Sequence, residues 1–386
     1  MGLVDGDIVV AVYKKITLSD KMHEEVFFSL LRAGLWEGDV QVSGERLVVS
    51  GTEVLRLAEE QSVVGLVTAG VEKLPTGIFP LTEKLTLLGK CQLIEQRNEA
   101  MNRFVAGLIA RMRGAGINAL LLKGQGLAQC YERPMWRACG DVDLFLDDDN
   151  YERAKQFLQP LASRVDKEVP YSRHLAMTID TWTVELHGYL RCGLSKRVDR
   201  ELDALRRNEF AGGKERIWMN GNIRVGMPSA DCDAVYVFVH FLNHFYKGGI
   251  CLRQVCDWCR LLWTYREAMD VPQLERRLNC MKLLDEWKGF ATLAVEKLGM
   301  PDEAMPLYDA ADKWKRKADR ILGFMLEQGN RGNDYYGQYP YIIRKFCSMR
   351  RRLADVAHHS RIFPLGAIRF LPNIMFHGLR SAARGE

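Results

Sequence analysis

The sequence predicts an α+β protein: a small α/β unit, residues 116–228, set between an N-terminal helical region, 1–115, and a C-terminal helical region, 229–386. Three observations carry that expectation. Apolar residues recur at helical spacing from Leu18 to about Gly114. The texture then switches to short apolar or alternating runs of the kind strands show, and helical periodicity returns after Pro228-Ser229. Strands gathered between helical blocks argue against a regular βαβ series.

Taken in order, Asp7 to Tyr13 alternates and reads as a short strand. Ser19-Asp20 can cap a helix through Phe28 and Leu31 that ends near Gly34. Thr52-Glu53 opens a second helix, whose apolar positions run from Val54 through Val63 to Leu66. A long third helix starts at Leu81-Thr82-Glu83 and stops at Gly114-Ala115-Gly116. Ala119 to Leu122 is a continuous apolar run and reads as a buried strand. Lys123-Gly124-Gln125-Gly126 turns the chain into a short helix, Leu127 to Tyr131. Asp141 to Leu146 is the next strand, and Asp147 to Asn150 offers N-cap chemistry for a helix through Leu158. Trp182 to His187 alternates cleanly as a third strand, and Arg216 to Val225 reads as a hairpin about Asn220-Gly221. Val235 to Tyr246 and Leu252 to Tyr265 are aromatic-rich helices, with more to about His358.

At 386 residues, 47% hydrophobic and 27% charged, the chain can bury a large core, and disorder is not expected to dominate. It lacks the run of about 20 apolar residues that a membrane-spanning helix needs. Met1 to Asp7 is acidic, without the basic start of a signal peptide, and ten cysteines fall in no framework spacing. Reduced thiols and a cytoplasmic location follow as expectations. Cys256-Asp257-Trp258-Cys259 is formally CxxC but has a helical pattern, so helix packing is its reading. The net charge of +5 is uneven. Arg344, Lys345, Arg350, Arg351, Arg352, Arg361, Arg369, Arg380 and Arg384 face only Asp355 and Glu386 in the C-terminal arm. Such an arm suits nucleic acid, an anionic membrane or a phosphate-rich substrate, or is simply a solvated helix face.

Asp141 and Asp143 lie at i and i+2, so on a strand they share a face. Like charges that close raise each other's pKa unless a cation sits between them, and nothing basic lies within the strand itself. A divalent metal, Mg²⁺ first, explains the pair most simply. Glu185 supplies a third acid on a later strand. Three such carboxylates can hold two metals about 3.5–4 Å apart, one carrying a triphosphate and the other activating an acceptor oxygen. Glu185 would then bridge the second metal or act as general base. The Gly turn lets backbone amides approach a phosphate, and Lys123 adds a point charge. A dinucleotide fingerprint fails at Gln129, and no P-loop is present.

Lys123-Gly124, Pro134-x-x-Arg137-x-x-x-Asp141-Val142-Asp143 and Val184-Glu185-Leu186-His187 together resemble the polymerase-β-like nucleotidyltransferases. More closely they resemble the bacterial branch described as uncharacterised nucleotidyltransferases. His244, Gly248-Gly249, Leu252-Arg253 and Asp257-Trp258 are similar to that branch's helical segment, so the resemblance runs from about Leu18 to Leu262. It implies a short mixed sheet, transfer of a nucleoside monophosphate from an NTP (ATP first) with loss of pyrophosphate, and one or two Mg²⁺ ions. Asp141, Asp143 and Glu185 would hold the metal and carry catalysis. Lys123, Gly124, Gln125, Gly126 and Arg137 would bind the phosphates, and His187, His244, Arg253 and Asp257 would face the acceptor. The superfamily turn has Gly followed by Gly or Ser, whereas this chain has Lys123-Gly124-Gln125 and a longer spacing from Gly124 to Asp141. That departure moves the phosphate grip toward Lys123 or Arg137. Arg137 also suits a structural salt bridge, and Arg253 with Asp257 forms an i, i+4 pair that could lock two helices. The acceptor is expected to be a small molecule, sugar or protein. Two rival readings are a non-catalytic nucleotide-binding scaffold and a nucleic-acid-binding protein that uses the basic arm.

Overall fold

A computed structural model describes residues 18–41, 51–212, 214–247, 249–328, 356–370 and 372. Its strands are β1 (Leu120–Leu122), β2 (Val142–Phe145), β3 (Arg164–Val165), β4 (His174–Ile179), β5 (Trp182–His187), β6 (Arg216–Asn220) and β7 (Ile223–Met227). They form one sheet in the order β3-β4-β5-β2-β1-β7-β6. The sheet is mixed: β2 runs parallel to β5 but antiparallel to β1, and β1 runs parallel to β7. Helices α1 (Leu18–Leu35), α2 (Gly51–Glu60), α3 (Val64–Glu72) and α4 (Leu81–Gly114) precede it. Helices α5 (Gly124–Ala128), α6 (Asp148–Leu158) and α7 (Lys196–Gly212) lie between strands. Helices α8 (Ala230–Lys247), α9 (Leu252–Thr264), α10 (Val271–Met281), α11 (Leu284–Glu296) and α12 (Asp312–Gln328) follow it. The α+β class expected from the sequence is the one observed.

Strand alternation gives the sheet two different neighbours. Leu121, Val142, Leu144, Val184 and Leu186 join one core with Val105, Leu108 and Met112 of α4 and Tyr151 and Leu158 of α6. Leu120, Leu122 and Phe145, on the other face, join a larger core that draws on both helical regions. Aromatic rings dominate its centre: Phe238 lies 5.7 Å from Trp258, and Trp258 lies 4.7 Å from Trp287. Further cross-links tie the two helical regions together. Trp36 Nε1 donates to the Leu298 carbonyl at 2.6 Å, and Arg260 bonds both the Leu35 carbonyl and Glu37.

Several elements depart from expectation. The second helix is two, because Ser62 takes φ 56° and breaks α2 from α3. The break is pinned by buried Gln61, whose Nε2 donates to the Met325 carbonyl at 3.2 Å while its Oε1 accepts from the Leu252 amide at 3.0 Å. The short helix after β1 begins at Gly124 rather than Leu127. Strands β3 and β4 and helix α7 are additions. The Asp7 to Tyr13 strand lies outside the described residues, as do Arg344, Lys345, Arg350, Arg351, Arg352, Arg380 and Arg384 of the basic arm. Arg369 donates to the Lys282 carbonyl at 3.1 Å. Among the described residues no helix is long and apolar enough to cross a membrane.

Helices α1 and α3 cross at near backbone contact. A Cβ on Gly34 would sit 1.9 Å from the Leu66 carbonyl oxygen, and one on Gly70 would sit 2.1 Å from that of Leu30. Two opposed glycines therefore set the crossing. Gly70→Ala is expected to destabilise the protein by about 1–3 kcal/mol, as overpacking against rigid backbone does. Urea unfolding measures this, and an unchanged midpoint would mean that the helices can separate freely.

Candidate functional site

The register of three strands assembles the site. Parallel pairing of β2 with β5 sets Asp143 beside Glu185 and Phe145 beside His187. Antiparallel pairing of β4 with β5 sets His174 opposite His187 and Ala176 opposite Glu185. Directly paired residues share a face, so Asp143, Glu185, His174 and His187 converge. Asp141 precedes β2 by one residue and is exposed at its mouth.

The strand itself carries no cation, but its neighbours supply two. Lys123 leaves β1 with φ 46°, followed by Gly124 at φ 41°, and this left-handed pair starts α5. The turn brings Lys123 Nζ to 3.0 Å from Asp143 Oδ1. His187 Nε2 lies 2.8 Å from the same oxygen and 3.4 Å from Glu185 Oε2, and His174 Nε2 lies 3.1 Å from Glu185 Oε2. The expectation of an unneutralised acid pair is therefore corrected for Asp143, whose partners arrive from the β1 turn and from β5.

Electrostatics follow the contacts. Burial opposes ionisation of Asp143, yet Lys123 and His187 outweigh it and hold the carboxyl well below its ordinary value. Burial likewise opposes ionisation of Glu185, but its two imidazole partners bring it down to about 2. Burial would discharge Lys123 and His187, but the carboxylates beside them keep both pKa values raised. Asp141 goes the other way: although its side chain reaches solvent, the protein packed around the strand mouth partly desolvates the carboxyl and pushes it up, and the negative charges of Glu185 and Asp143 add to that. A cation relieves a carboxyl crowded in this way, and Asp141, Asp143 and Glu185 offer the oxygen donors a hard divalent ion prefers; among the described residues, however, the group whose ligand atoms already lie close enough to share an ion is His174, Glu185 and His187.

Helix α8 lays a stripe at i, i+4 and i+8 beside these groups. Lys123 Nζ lies 5.8 Å from the Tyr236 ring centroid, Tyr236 and His240 rings are 5.8 Å apart, and His240 and His244 rings are 4.7 Å apart. Burial, then the Lys123 charge, depresses both imidazoles: His240 falls well below its ordinary value, and His244 to about 4. Both are neutral near pH 7. A cleft of about 100 Å³ opens between the stripe and the strands, lined by Lys123, Gly124, Arg137, Asp141, Asp143, His240 and Arg253, among others.

The remaining expected residues divide. Gln125 is buried beneath the turn and donates to Asn98 Oδ1 at 3.0 Å, while Asn98 Nδ2 donates to the Met135 and Arg137 carbonyls. Gly126 is buried too, and a Cβ there would lie 3.1 Å from Met227 Sδ. Arg137 grips Asp257 with two bonds, Nε to Oδ1 at 3.0 Å and Nη2 to Oδ2 at 2.6 Å, and Tyr131 donates to the same carboxylate at 2.7 Å. The i, i+4 pair expected between Arg253 and Asp257 gives way to this long-range one. Arg253 instead donates from Nη1 to the Ala138 carbonyl at 2.8 Å, and its buried Nε has no hydrogen-bond partner.

Sequence reading missed His174, Tyr236 and His240. The first had a signal in the alternation Leu175, Met177, Ile179 ahead of a turn at Asp180, which takes φ 54°. The other two had the helical spacing 236, 240, 244.

A family model described as "Uncharacterised nucleotidyltransferase" matches residues 50–299. No curated protein and no solved structure matches the chain significantly.

The Arg137–Asp257 pair is buried, with side chains 8% and 4% exposed. Asp257→Ala, which strands a buried guanidinium, is expected to cost about 3–5 kcal/mol in guanidinium chloride unfolding. A loss below about 1 kcal/mol, the range of surface pairs, would show the pair to be effectively solvated.

Proposed function

The chain belongs to the uncharacterised nucleotidyltransferase family, and on that premise we propose that it moves a nucleoside monophosphate from an NTP, ATP first, to a hydroxyl acceptor. The acceptor would be a small molecule, a sugar or a protein. The observation that carries the reading is the side-by-side placement of Asp143 and Glu185 on parallel strands, with Asp141 at the mouth of the cleft. In this proposal Asp141, Asp143 and Glu185 hold one or two Mg²⁺ ions. The metal, when bound, supplies charge neutralisation at the phosphates and activation of an oxygen nucleophile.

The chain's own residues do the rest. Lys123 and His187 keep Asp143 ionised, so it offers ligand oxygens rather than a protonated carboxyl. Glu185, with a pKa of about 2, suits a ligand better than a general base, which works best near the operating pH. Arg137 is committed to Asp257, which leaves Arg253, also in the cleft lining, as the arginine for an anionic substrate. Neutral His240 lines the same cleft, and His244 packs behind it with ring centroids 4.7 Å apart. A cytoplasmic location belongs to the same reading and is supported by nine free cysteines among the described residues.

Isothermal titration of ATP, GTP, CTP and UTP with Mg²⁺ tests the proposal. Wild type is expected to bind at least one of them only when metal is present. Asp141→Ala/Asp143→Ala is expected to lose at least about tenfold in affinity, or about 1.4 kcal/mol. Metal-independent binding, or binding of none by wild type, would sink it.

A further inference from the structure

We propose that His174, Glu185 and His187 form a binding site for a divalent transition-metal ion of the Zn²⁺ class, distinct in ligand chemistry from the all-oxygen set suited to Mg²⁺. Among the described residues these three bring their ligand atoms within 4.8 Å of one another. The strand ladder fixes them there: His174 pairs directly with His187 across β4 and β5, and Glu185 lies two residues before His187 on the same face.

The distances suit one ion. Around a tetrahedral zinc with bonds of about 2.0–2.1 Å, neighbouring ligand atoms lie about 3.3–3.4 Å apart. His174 Nε2 and His187 Nε2 stand 3.1 and 3.4 Å from Glu185 Oε2. The two imidazole donors lie within 4.8 Å of each other. The donor set also discriminates. Two imidazoles and a carboxylate match borderline-soft ions, whereas Mg²⁺ demands oxygen and leaves water reluctantly. Three protein ligands leave a fourth position for water or a substrate oxygen, the open arrangement of catalytic rather than structural zinc.

One contact must give way. Asp143 Oδ1, itself held by Lys123 at 3.0 Å, lies 2.8 Å from His187 Nε2, the ligating atom, so an arriving metal takes the place of that hydrogen bond. His174 packs against His187 with ring centroids 4.9 Å apart. Metal entry displaces the protons now shared between the imidazole Nε2 atoms and the carboxylates, so each histidine ligates as the neutral base. The inference does not require nucleotidyl transfer, although it shares Glu185 and His187 with that reading.

Competition of Zn²⁺ against a chromophoric chelator tests the site on the full chain. A Cys280→Ser background removes the thiol that is exposed among the described residues, and the visible ligand-field absorption of Co²⁺ is a second readout. One Zn²⁺ per chain is expected. His174→Ala and His174→Gln should each weaken it by at least about tenfold and alter the Co²⁺ spectrum, while Asp141→Asn keeps the unsubstituted affinity. No Zn²⁺ binding, equal binding by His174→Ala, or equal loss in Asp141→Asn would each overturn the site. Mg²⁺–nucleotide titration of the same samples separates the two readings: nucleotide binding without Zn²⁺ binding refutes this inference alone.

Discussion

The ion pair between Lys123 and Asp143 is the constraint on which the site depends. A carboxylate as buried as Asp143 is costly unless a cation and hydrogen bonds meet it. The chain meets that demand with three separate devices. A left-handed residue at the end of β1 aims Lys123 across the sheet, the parallel register of β2 and β5 supplies His187, and α8 walls the ammonium with Tyr236. Removing any one leaves a buried charge short of a partner. The result is a division of labour: Asp143 is fixed and ionised, while exposed Asp141 carries the crowding that favours a cation.

A second long-range pair does for the loop before β2 what the first does for the strand. Arg137 and Asp257 lie 120 positions apart yet meet through two hydrogen bonds, with Tyr131 as a third partner. Asn98 clasps the same loop from α4, itself braced by Gln125. The segment that leads into Asp141 is thus held by the N-terminal helices, the turn after β1 and the C-terminal helices at once. The strand mouth is positioned by the whole fold, which explains why Gln125 and Gly126, first read as phosphate ligands, lie beneath the turn in supporting contacts while Lys123, Gly124 and Arg137 line the cleft.

What the sequence made legible was whatever local periodicity controls. The period of two turns Asp143 away from Val142 and Leu144 on β2, and Glu185 away from Val184 and Leu186 on β5, and the caps and stops of α4 and α6 follow from Gly114 and Asp147. What it hid depends on partners far along the chain. Arg253 and Asp257 look like an i, i+4 pair until the Arg137 loop arrives. The one helix expected from Thr52 to Leu66 breaks because Gln61 bonds to Met325 and Leu252. His174 is invisible as a site residue until β4 is recognised and its register known, since only pairing brings it to Glu185. Gly126 likewise looked like phosphate chemistry but answers to packing against Met227.

The most direct measurement is a crystal structure with Mn²⁺ and a nonhydrolysable nucleoside triphosphate, read by anomalous scattering from the metal. The expected result is a Mn²⁺ peak within bonding distance of both Asp141 and Asp143, with the triphosphate in the cleft beside Arg253. The contradicting result is a triphosphate seated elsewhere, for instance in the cavity of about 630 Å³ lined by Arg113, Asn118 and Arg224 at the opposite end of the sheet, with no metal at either aspartate.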